Sequence, residues 1–168
     1  MKKYILSIPI LFLVISDTYS HVGHYSSFNY LEYDLFRNNK SIGYHKYEFE
    51  RDSKNLNVKS KVEFKIRKLG VDLYKYSAES EELYKNGQLY NFSSTTNQNK
   101  KEKYVNIKYK EEKKEFIIDG TSYKGPASKD FIVGTWWSHE IIKANSQISA
   151  VSGRIIAQTV TFLGKKEI

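Results

Sequence analysis

A long run of two-residue alternation constrains the fold of this chain more than any other feature. Between Leu56 and Ile66, apolar or small side chains occupy every even position, and lysine, glutamate or asparagine occupies every odd position. Successive side chains of a β-strand point to opposite faces, so this segment is predicted to be a strand with one buried and one wet side. Such one-sided burial is typical of antiparallel sheets. We therefore expect Val62 and Phe64 to be buried and Lys61 and Glu63 to face water.

Most of the remaining chain shows the same period, interrupted by turn signals. Asn86-Gly87 is the strongest of these signals, because a type I′ hairpin turn needs positive φ at both central positions. Asp119-Gly120 predicts a further hairpin turn, Gly125-Pro126 predicts a break in the sheet, and Thr135 can cap a short helix over 136–143. Further strands are predicted at 30–36, 42–49, 71–84, 89–96, 104–110, 116–118 and 155–162.

Consecutive strands joined by short turns predict an all-β protein. The expected architecture is a large curved antiparallel meander sheet, either a half-barrel or a sandwich-like arrangement, with one short helix near 136–143. Residues 21–168 show no internal repeat and no linker, so they are expected to form a single domain.

The first twenty residues have the pattern of a signal peptide. Lys2 and Lys3 precede an apolar core, and small or polar residues up to Ser20 provide a cleavage site. The apolar core is shorter than the roughly 18 residues that a membrane-spanning helix needs, although an uncleaved anchor remains an alternative. We therefore predict a periplasmic or secreted protein, cleaved near Ser20.

Composition narrows the chemistry. The chain has no cysteine, which excludes disulfides, thiolate metal sites and a cysteine nucleophile. The formal net charge is +8, but arginine occurs only four times among 27 basic residues. Because recognition of phosphates and bases favours arginine, and because the lysines alternate with apolar residues as on a wet strand face, we expect no nucleic-acid partner.

The order of several short motifs resembles a family of exported bacterial proteins of unknown function. The motifs are Tyr33-Asp34-Leu35, Ile42-Gly43-Tyr44-His45, Phe64-Lys65-Ile66, Tyr74-Lys75-Tyr76, the 81–87 hairpin, residues 93–97, Trp136-Trp137 and Gly153-Arg154. The resemblance implies a curved antiparallel sheet like those of periplasmic lipid- and lipoprotein-handling proteins. It transfers no catalytic residue. It also implies further strands after Phe162, so we expect the domain to be truncated at its C-terminus unless 164–168 is an ordinary tail.

Three polar groups are candidates for catalytic or metal sites. Ser138-His139-Glu140 has the residue types of a triad, but adjacent side chains point apart and cannot form a relay. Glu79 and Glu81 share one strand face with lysine neighbours, which favours a solvated surface, and Glu82 adjoins them. If cleavage follows Ser20, His21 would become an amino terminus that can chelate copper with His24 or His45. We predict no enzyme and no cofactor, and keep a copper-dependent enzyme as a third alternative.

Aromatic residues provide the best remaining indication of function. Fourteen tyrosines, nine phenylalanines and two tryptophans are many for this length. The first hypothesis is a non-enzymatic protein that holds an apolar or amphipathic ligand, such as a lipid, on the concave face of its sheet. The alternative is a structural or envelope-associated interaction protein with a solid core and a protein partner; the oligomeric state is left open. The predicted ligand-binding residues are Val58, Val62, Phe64, Ile66, Tyr74, Tyr76, Trp136 and Trp137.

Overall fold

A computed structural model describes residues 27–161 and 163–164, and eight consecutive strands form one antiparallel sheet within them. The strands are β1 (Tyr30–Arg37), β2 (Lys40–Asp52), β3 (Asn55–Lys68), β4 (Val71–Lys85), β5 (Gln88–Gln98), β6 (Lys101–Lys110), β7 (Glu115–Gly120) and β8 (Lys124–Ser128). Each strand pairs with the next along the chain, and β1 and β8 are the two edges, so the sheet is open. The predicted all-β meander is confirmed.

The predicted signal peptide, its cleavage site at Ser20, His21 and His24 lie outside the described residues. Within the described part of the chain, no helix is both long enough and apolar enough to cross a bilayer.

Two-residue turns with left-handed backbone connect several of the strands. Asn86 and Gly87 have φ values of 50° and 78°, which confirms the predicted type I′ turn between β4 and β5. Asn38-Asn39, Leu69-Gly70 and Asn99-Lys100 also have positive φ at both positions. These turns match the right-handed twist of the flanking strands, and they fix the register between them.

Cross-strand register identifies the apolar side of the sheet, which we call the inner face. Val58 lies opposite Glu82, Glu82 opposite Phe92, and Phe92 opposite Ile107 on β6. Ile107 in turn lies opposite Ile118 on β7. All five side chains are almost completely buried, so one continuous row of the inner face is covered by a second layer.

The second layer comes from the C-terminal part of the chain. It contains a small sheet of β9 (Ile132–Val133), β10 (Ser146–Ile148) and β11 (Ile155–Ala157), in which β10 runs parallel to β9 and antiparallel to β11. Val133 and Ile148 pack into a cluster with β5–β7 that includes Phe92, while Trp137 packs into a second cluster with Phe49 and Val58.

The predicted helix over 136–143 is a shorter 3₁₀ turn, His139–Ile142. Ser138, rather than Thr135, caps it, and the Ser138 hydroxyl accepts a hydrogen bond from the backbone N–H of Glu140 at 3.3 Å. The short helix itself is confirmed near the predicted position.

Three local predictions are corrected by the structure. Asp119-Gly120 ends β7 instead of forming the turn, and Gly120 is required because a Cβ there would lie 2.7 Å from the Ser152 carbonyl oxygen. Gly125-Pro126 does not break the sheet, since both residues lie in β8, and proline is tolerated on an edge strand. The strand predicted over 155–162 ends at Ala157, and Phe162 and residues 165–168 lie outside the described part.

Burial is uneven along β3. Leu56 and Val58 are buried, whereas Val62, Phe64 and Ile66 are only half-buried, and so is Glu63 on the other face. The second layer packs near the Leu56 end of the strand, and among the described residues it leaves the inner face beyond Phe64 without a cover. The expected full burial of Val62 and Phe64 is therefore wrong, and this difference creates the site described next.

Candidate functional site

A cavity of about 220 Å³ lies where the second layer ends on the inner face. We call it the inner pocket. Its sheet side is formed by β2–β5, with Val62, Phe64, Tyr76 and Ala78 as its apolar lining. The residues of the second layer that close the other side are Gly134, Thr135, Trp136, Ala150 and Val151.

Aromatic rings extend the apolar lining beyond the pocket. Phe64 and Tyr76 are stacked with 5.0 Å between ring centroids, as expected for residues directly opposite each other on β3 and β4. Tyr74, one strand position further out on the same face, has its ring 5.8 Å from that of Phe64. Tyr74 and Ile66 are half-buried, so an apolar track leads from the pocket towards the turn between β3 and β4.

Hydroxyl groups on β3–β5 also line the sheet side of the inner pocket. Ser60 and Ser80 hydrogen bond to each other at 2.8 Å, and Ser94 donates to the Ala150 carbonyl oxygen. The Thr96 side chain is 1% exposed, and its Oγ1 has no hydrogen-bond partner at normal geometry among the described residues. The Tyr76 hydroxyl interacts with Thr96 outside that geometry, so the hydrogen-bonding capacity of the buried Thr96 hydroxyl is only partly used within the protein.

Two titratable groups of the inner pocket have shifted pKa values. Burial lowers the pKa of His45, which favours the neutral imidazole, and its Nδ1 lies 3.3 Å from the Tyr47 hydroxyl. Burial raises the pKa of Tyr76, although the neighbouring Thr96 hydroxyl opposes that shift. Both groups are therefore uncharged at neutral pH, and the pocket presents neutral polar atoms beside apolar rings.

A buried carboxylate lies next to the pocket. Glu82 is fully buried and accepts hydrogen bonds from the Trp137 indole N–H at 2.8 Å and from the Tyr84 hydroxyl at 2.7 Å. Burial raises the pKa of Glu82, and hydrogen bonds from Tyr84, Trp137 and Thr135 lower it in part. Thr135 also lines the inner pocket, so it connects this buried network to the cavity.

The predicted ligand-binding residues fall into three positions. Val62, Phe64, Tyr76 and Trp136 line the inner pocket, and Trp136 remains 75% exposed. Ile66 and Tyr74 lie on the adjoining apolar track. Val58 and Trp137 are instead part of the solid core, with 0% and 2% exposure. The two neighbouring tryptophans therefore point to different environments.

The candidate polar groups that lie among the described residues make capping and surface contacts. Ser138 caps the 3₁₀ turn beside His139 and Glu140. Glu79 pairs with Lys61 at 3.0 Å, and Glu81 accepts a hydrogen bond from Asn57 at 2.9 Å, as expected for a solvated strand face. Among the described residues, no group of three histidine, aspartate or glutamate side chains could hold a metal ion.

The opposite, outer face has two larger depressions of about 590 and 700 Å³. Both lie beside charged strand residues such as Lys61, Glu81 and Lys108. They resemble ordinary grooves of a wet strand surface, whereas the inner pocket combines apolar rings with the buried hydroxyl of Thr96.

Sequence reasoning missed the inward positions of Glu82 and Thr96. Both have the parity of their inward-facing neighbours, since Glu82 follows Tyr76 and Ala78 at even positions of β4, and Thr96 follows Phe92 on β5. The signal was therefore present, but Glu82 was grouped with the solvated glutamates because of its charge, and Thr96 was not identified as a candidate.

The fold and site define an open, all-β meander with a small pocket at the border of its covered inner face. The chain belongs to a family described as a domain of unknown function, DUF6134, whose model matches residues 33–168. Neither the curated proteins nor the solved structures gave a match.

Proposed function

We propose that this protein is a non-enzymatic, exported binding protein for a small amphipathic ligand. The polar end of the ligand enters the inner pocket, and its apolar part lies along the track formed by Phe64, Tyr74 and Ile66. The observation that carries this proposal is the inner pocket itself, in which the rings of Phe64 and Tyr76 lie beside hydroxyl-bearing side chains such as Thr96.

The volume of the inner pocket supports a ligand of which only one end is enclosed. Sites for drug-sized ligands usually have volumes of about 300–1,000 Å³. The inner pocket, at about 220 Å³, suits only one end of such a molecule. The half-buried rings of Phe64 and Tyr74 offer apolar surface to the remainder, and covering that surface removes it from water.

The electrostatics of the pocket favour a neutral or hydrogen-bonding group over an isolated charge. His45 and Tyr76 are uncharged at neutral pH, and the described lining includes Glu79 at its rim but no lysine or arginine. An acyl chain with a hydroxyl, ester or protonated carboxyl end fits this lining. A lipid is therefore the class of ligand that we propose.

The first experiment is native mass spectrometry of protein purified without detergent. Retained lipid supports the proposal. An empty protein that also fails to bind lauric acid or monolaurin in titrations contradicts it, and would favour the interaction protein with a solid core. Retained copper would favour the third alternative, which uses His21.

A matched pair of variants tests the role of Thr96. Thr96→Val keeps the shape of the side chain and removes the buried hydroxyl, whereas Thr95→Val makes the same change on the exposed outer face. We expect Thr96→Val to weaken monolaurin binding about fivefold to tenfold, because a hydrogen bond contributes about 1 kcal/mol. Thr95→Val should leave binding unchanged. Equal affinities for all three proteins would contradict the proposed polar contact.

A further inference from the structure

The turns at one end of the large sheet form a basic surface. Because neighbouring strands run in opposite directions, the β1–β2, β3–β4 and β5–β6 turns lie at the same end as the uncharged β7–β8 turn, 121–123. Residues 37–40, 67–71 and 99–101 contain six basic residues and no acidic residue: Arg37, Lys40, Arg67, Lys68, Lys100 and Lys101. We call these three turns the basic end.

The opposite end of the sheet has a different character. Its turns, at 52–55, 85–88 and 110–115, contain five basic and four acidic residues. The positive charge of this protein is therefore concentrated at one end of the sheet. Such asymmetry creates a local potential that attracts an anionic partner.

The β3–β4 hairpin extends beyond its neighbours at the basic end. Pairing of β2 with β3 ends at Gly43 and Phe64, and pairing of β4 with β5 ends at Tyr76 and Gln98. Residues 66–74 therefore pair only with one another among the described strands. Leu69, at the tip of this hairpin, is 94% exposed.

Two more apolar side chains lie near this tip. Val71 is 62% exposed and Leu73 is 56% exposed. Lys65, Arg67, Lys68 and Lys75 surround them, and Asp72 is the acidic residue of the segment 65–75. Asp72 forms ion pairs with Arg67 and Lys75, which leaves the hairpin with a net positive charge.

The position of Leu69 is unfavourable for a leucine in a turn exposed to water. Its φ is 51°, a left-handed conformation that asparagine and glycine tolerate better than other residues. Asparagine occupies the same first position in the other type I′ turns, as Asn38, Asn86 and Asn99 show. The fold therefore does not explain an exposed leucine at this point, whereas an apolar environment outside the protein does.

We propose that the basic end docks on the surface of a bilayer that contains anionic phospholipids, with the Leu69 tip entering its apolar layer. Lysine and arginine attract the headgroups, and Leu69, Val71 and Leu73 leave water. A nucleic acid would satisfy the positive charge but not the exposed aliphatic tip.

Docking at this end would also serve the proposed function. The apolar track of Ile66 and Tyr74 runs from the hairpin to the inner pocket, so a docked hairpin would place that track next to the lipids. This role rests on the proposed ligand binding, whereas the docking itself rests on the charge and exposure of the hairpin.

Absence of cysteine makes a site-specific test straightforward. Leu69→Cys and, as a control at the opposite end, Asn86→Cys are each labelled with an environment-sensitive fluorophore. With phosphatidylglycerol vesicles, the label at position 69 should shift to shorter wavelength, and the label at position 86 should not. Phosphatidylcholine vesicles should give no shift. About 1 M salt, where the Debye length is about 3 Å, should prevent docking.

Charge variants provide the second measurement. Lys68→Ser with Lys100→Ser should weaken binding to phosphatidylglycerol vesicles roughly 30-fold. Each cation near an anionic surface strengthens binding about fivefold, and the two factors multiply. Lys113→Ser with Lys114→Ser, at the opposite end, should have little effect. Equal losses from both pairs, or a spectral shift at position 86 as well as 69, would overturn the proposal.

Membrane docking and ligand binding can be tested independently of each other. Leu69→Ser should reduce vesicle binding while leaving monolaurin binding in vesicle-free solution unchanged. If the labelled tip does not respond to vesicles but Thr96→Val still weakens ligand binding, docking is wrong and ligand binding stands. Binding of the basic end to duplex DNA, without vesicle binding, would also overturn membrane docking.

Discussion

The Trp137 indole N–H donates a 2.8 Å hydrogen bond to Oε1 of Glu82, which lies on β4 and is fully buried. The contact joins the second layer to the middle of the large sheet. The ring of Trp137 also makes edge contacts with Phe49 and Tyr84, at centroid distances of 5.6 and 5.8 Å. This hydrogen bond inside an aromatic cluster fixes the position of the C-terminal segment on the sheet, and thereby where the inner pocket begins.

Glu82 should make stability depend on pH. Burial raises its folded pKa above the ordinary value of 4.5, so the folded protein binds this proton more tightly than the unfolded chain does. The stabilisation is complete below that ordinary value and is lost as pH rises through the folded pKa. Glu82→Gln can still accept a hydrogen bond from Trp137, and it lacks this loss. As pH rises above about 4.5, the free energy of unfolding of Glu82→Gln should therefore increase relative to that of the natural chain.

Denaturant unfolding at a series of pH values measures this difference. Glu81→Gln, on the outer face, controls for the loss of one negative charge. If Glu82→Gln and the natural chain have parallel profiles from acid to neutral pH, Glu82 does not bind its proton more tightly in the folded state.

The two tryptophans should differ sharply in their effect on stability. Trp137→Phe keeps most of the ring packing and removes one donor to the buried carboxylate, so it should cost about 1–3 kcal/mol in free energy of unfolding. Trp136 is 75% exposed, and Trp136→Phe should change stability by less than about 0.5 kcal/mol. Similar values for the two variants in denaturant unfolding would show that the hydrogen bond to Glu82 contributes little.

Period-two patterning was sufficient to predict β1–β6, because each of these strands is long and one-sided, and it indicated the centre of β7. It did not predict β8, where Gly125-Pro126 was interpreted as a break in the sheet. The turn chemistry of Asn86-Gly87 then fixed one register directly. Neither signal exists for β9 and β10, which have two and three residues and form a parallel pair across an intervening 3₁₀ turn. Those strands depend on packing against the inner face, and that packing is a tertiary effect without a local pattern. The alternation over 155–162 did indicate β11, but it overestimated the length of that strand.

The inner pocket was predictable only in part, because its position also depends on tertiary packing. Parity alone placed Val62, Phe64 and Tyr76 on one face, but it could not show where the second layer would end. That boundary depends on Trp137 reaching Glu82, a contact across 55 positions of the chain. The sequence therefore indicated the face of the sheet, and the long-range contact determined which part of it stays open.

Alanine substitutions at Phe64 and Phe92 should distinguish the open part of the inner face from the core. Phe92 is 1% exposed, and Phe92→Ala should cost roughly 3–5 kcal/mol in free energy of unfolding. Phe64 is half-buried beside the inner pocket, so Phe64→Ala should cost less, about 1–2 kcal/mol, while weakening ligand binding. Thermal or denaturant unfolding gives the first comparison, and monolaurin titration gives the second. Equal destabilisation by the two substitutions would mean that the inner face is covered beyond Phe64 as well.

Gly120 should be intolerant of a side chain for a steric reason. A Cβ at this position would lie 2.7 Å from the Ser152 carbonyl oxygen and 3.0 Å from the Gly153 Cα, so backbone rather than a flexible side chain would have to move. Gly120→Ala should therefore cost about 1–3 kcal/mol, the usual effect of overpacking.

Gly70→Asn is the matched control for Gly120→Ala, because Gly70 has φ of 80° and a Cβ at that position would have no heavy atom within 4 Å. Asparagine tolerates that backbone conformation, so this variant should unfold close to the natural chain. The second layer meets the end of β7 at Ser152, and a loss confined to Gly120→Ala would locate the strain at that contact. If Gly120→Ala is as stable as Gly70→Asn, residues 152–153 can move away from β7 at little cost, and the close approach does not hold the second layer in place.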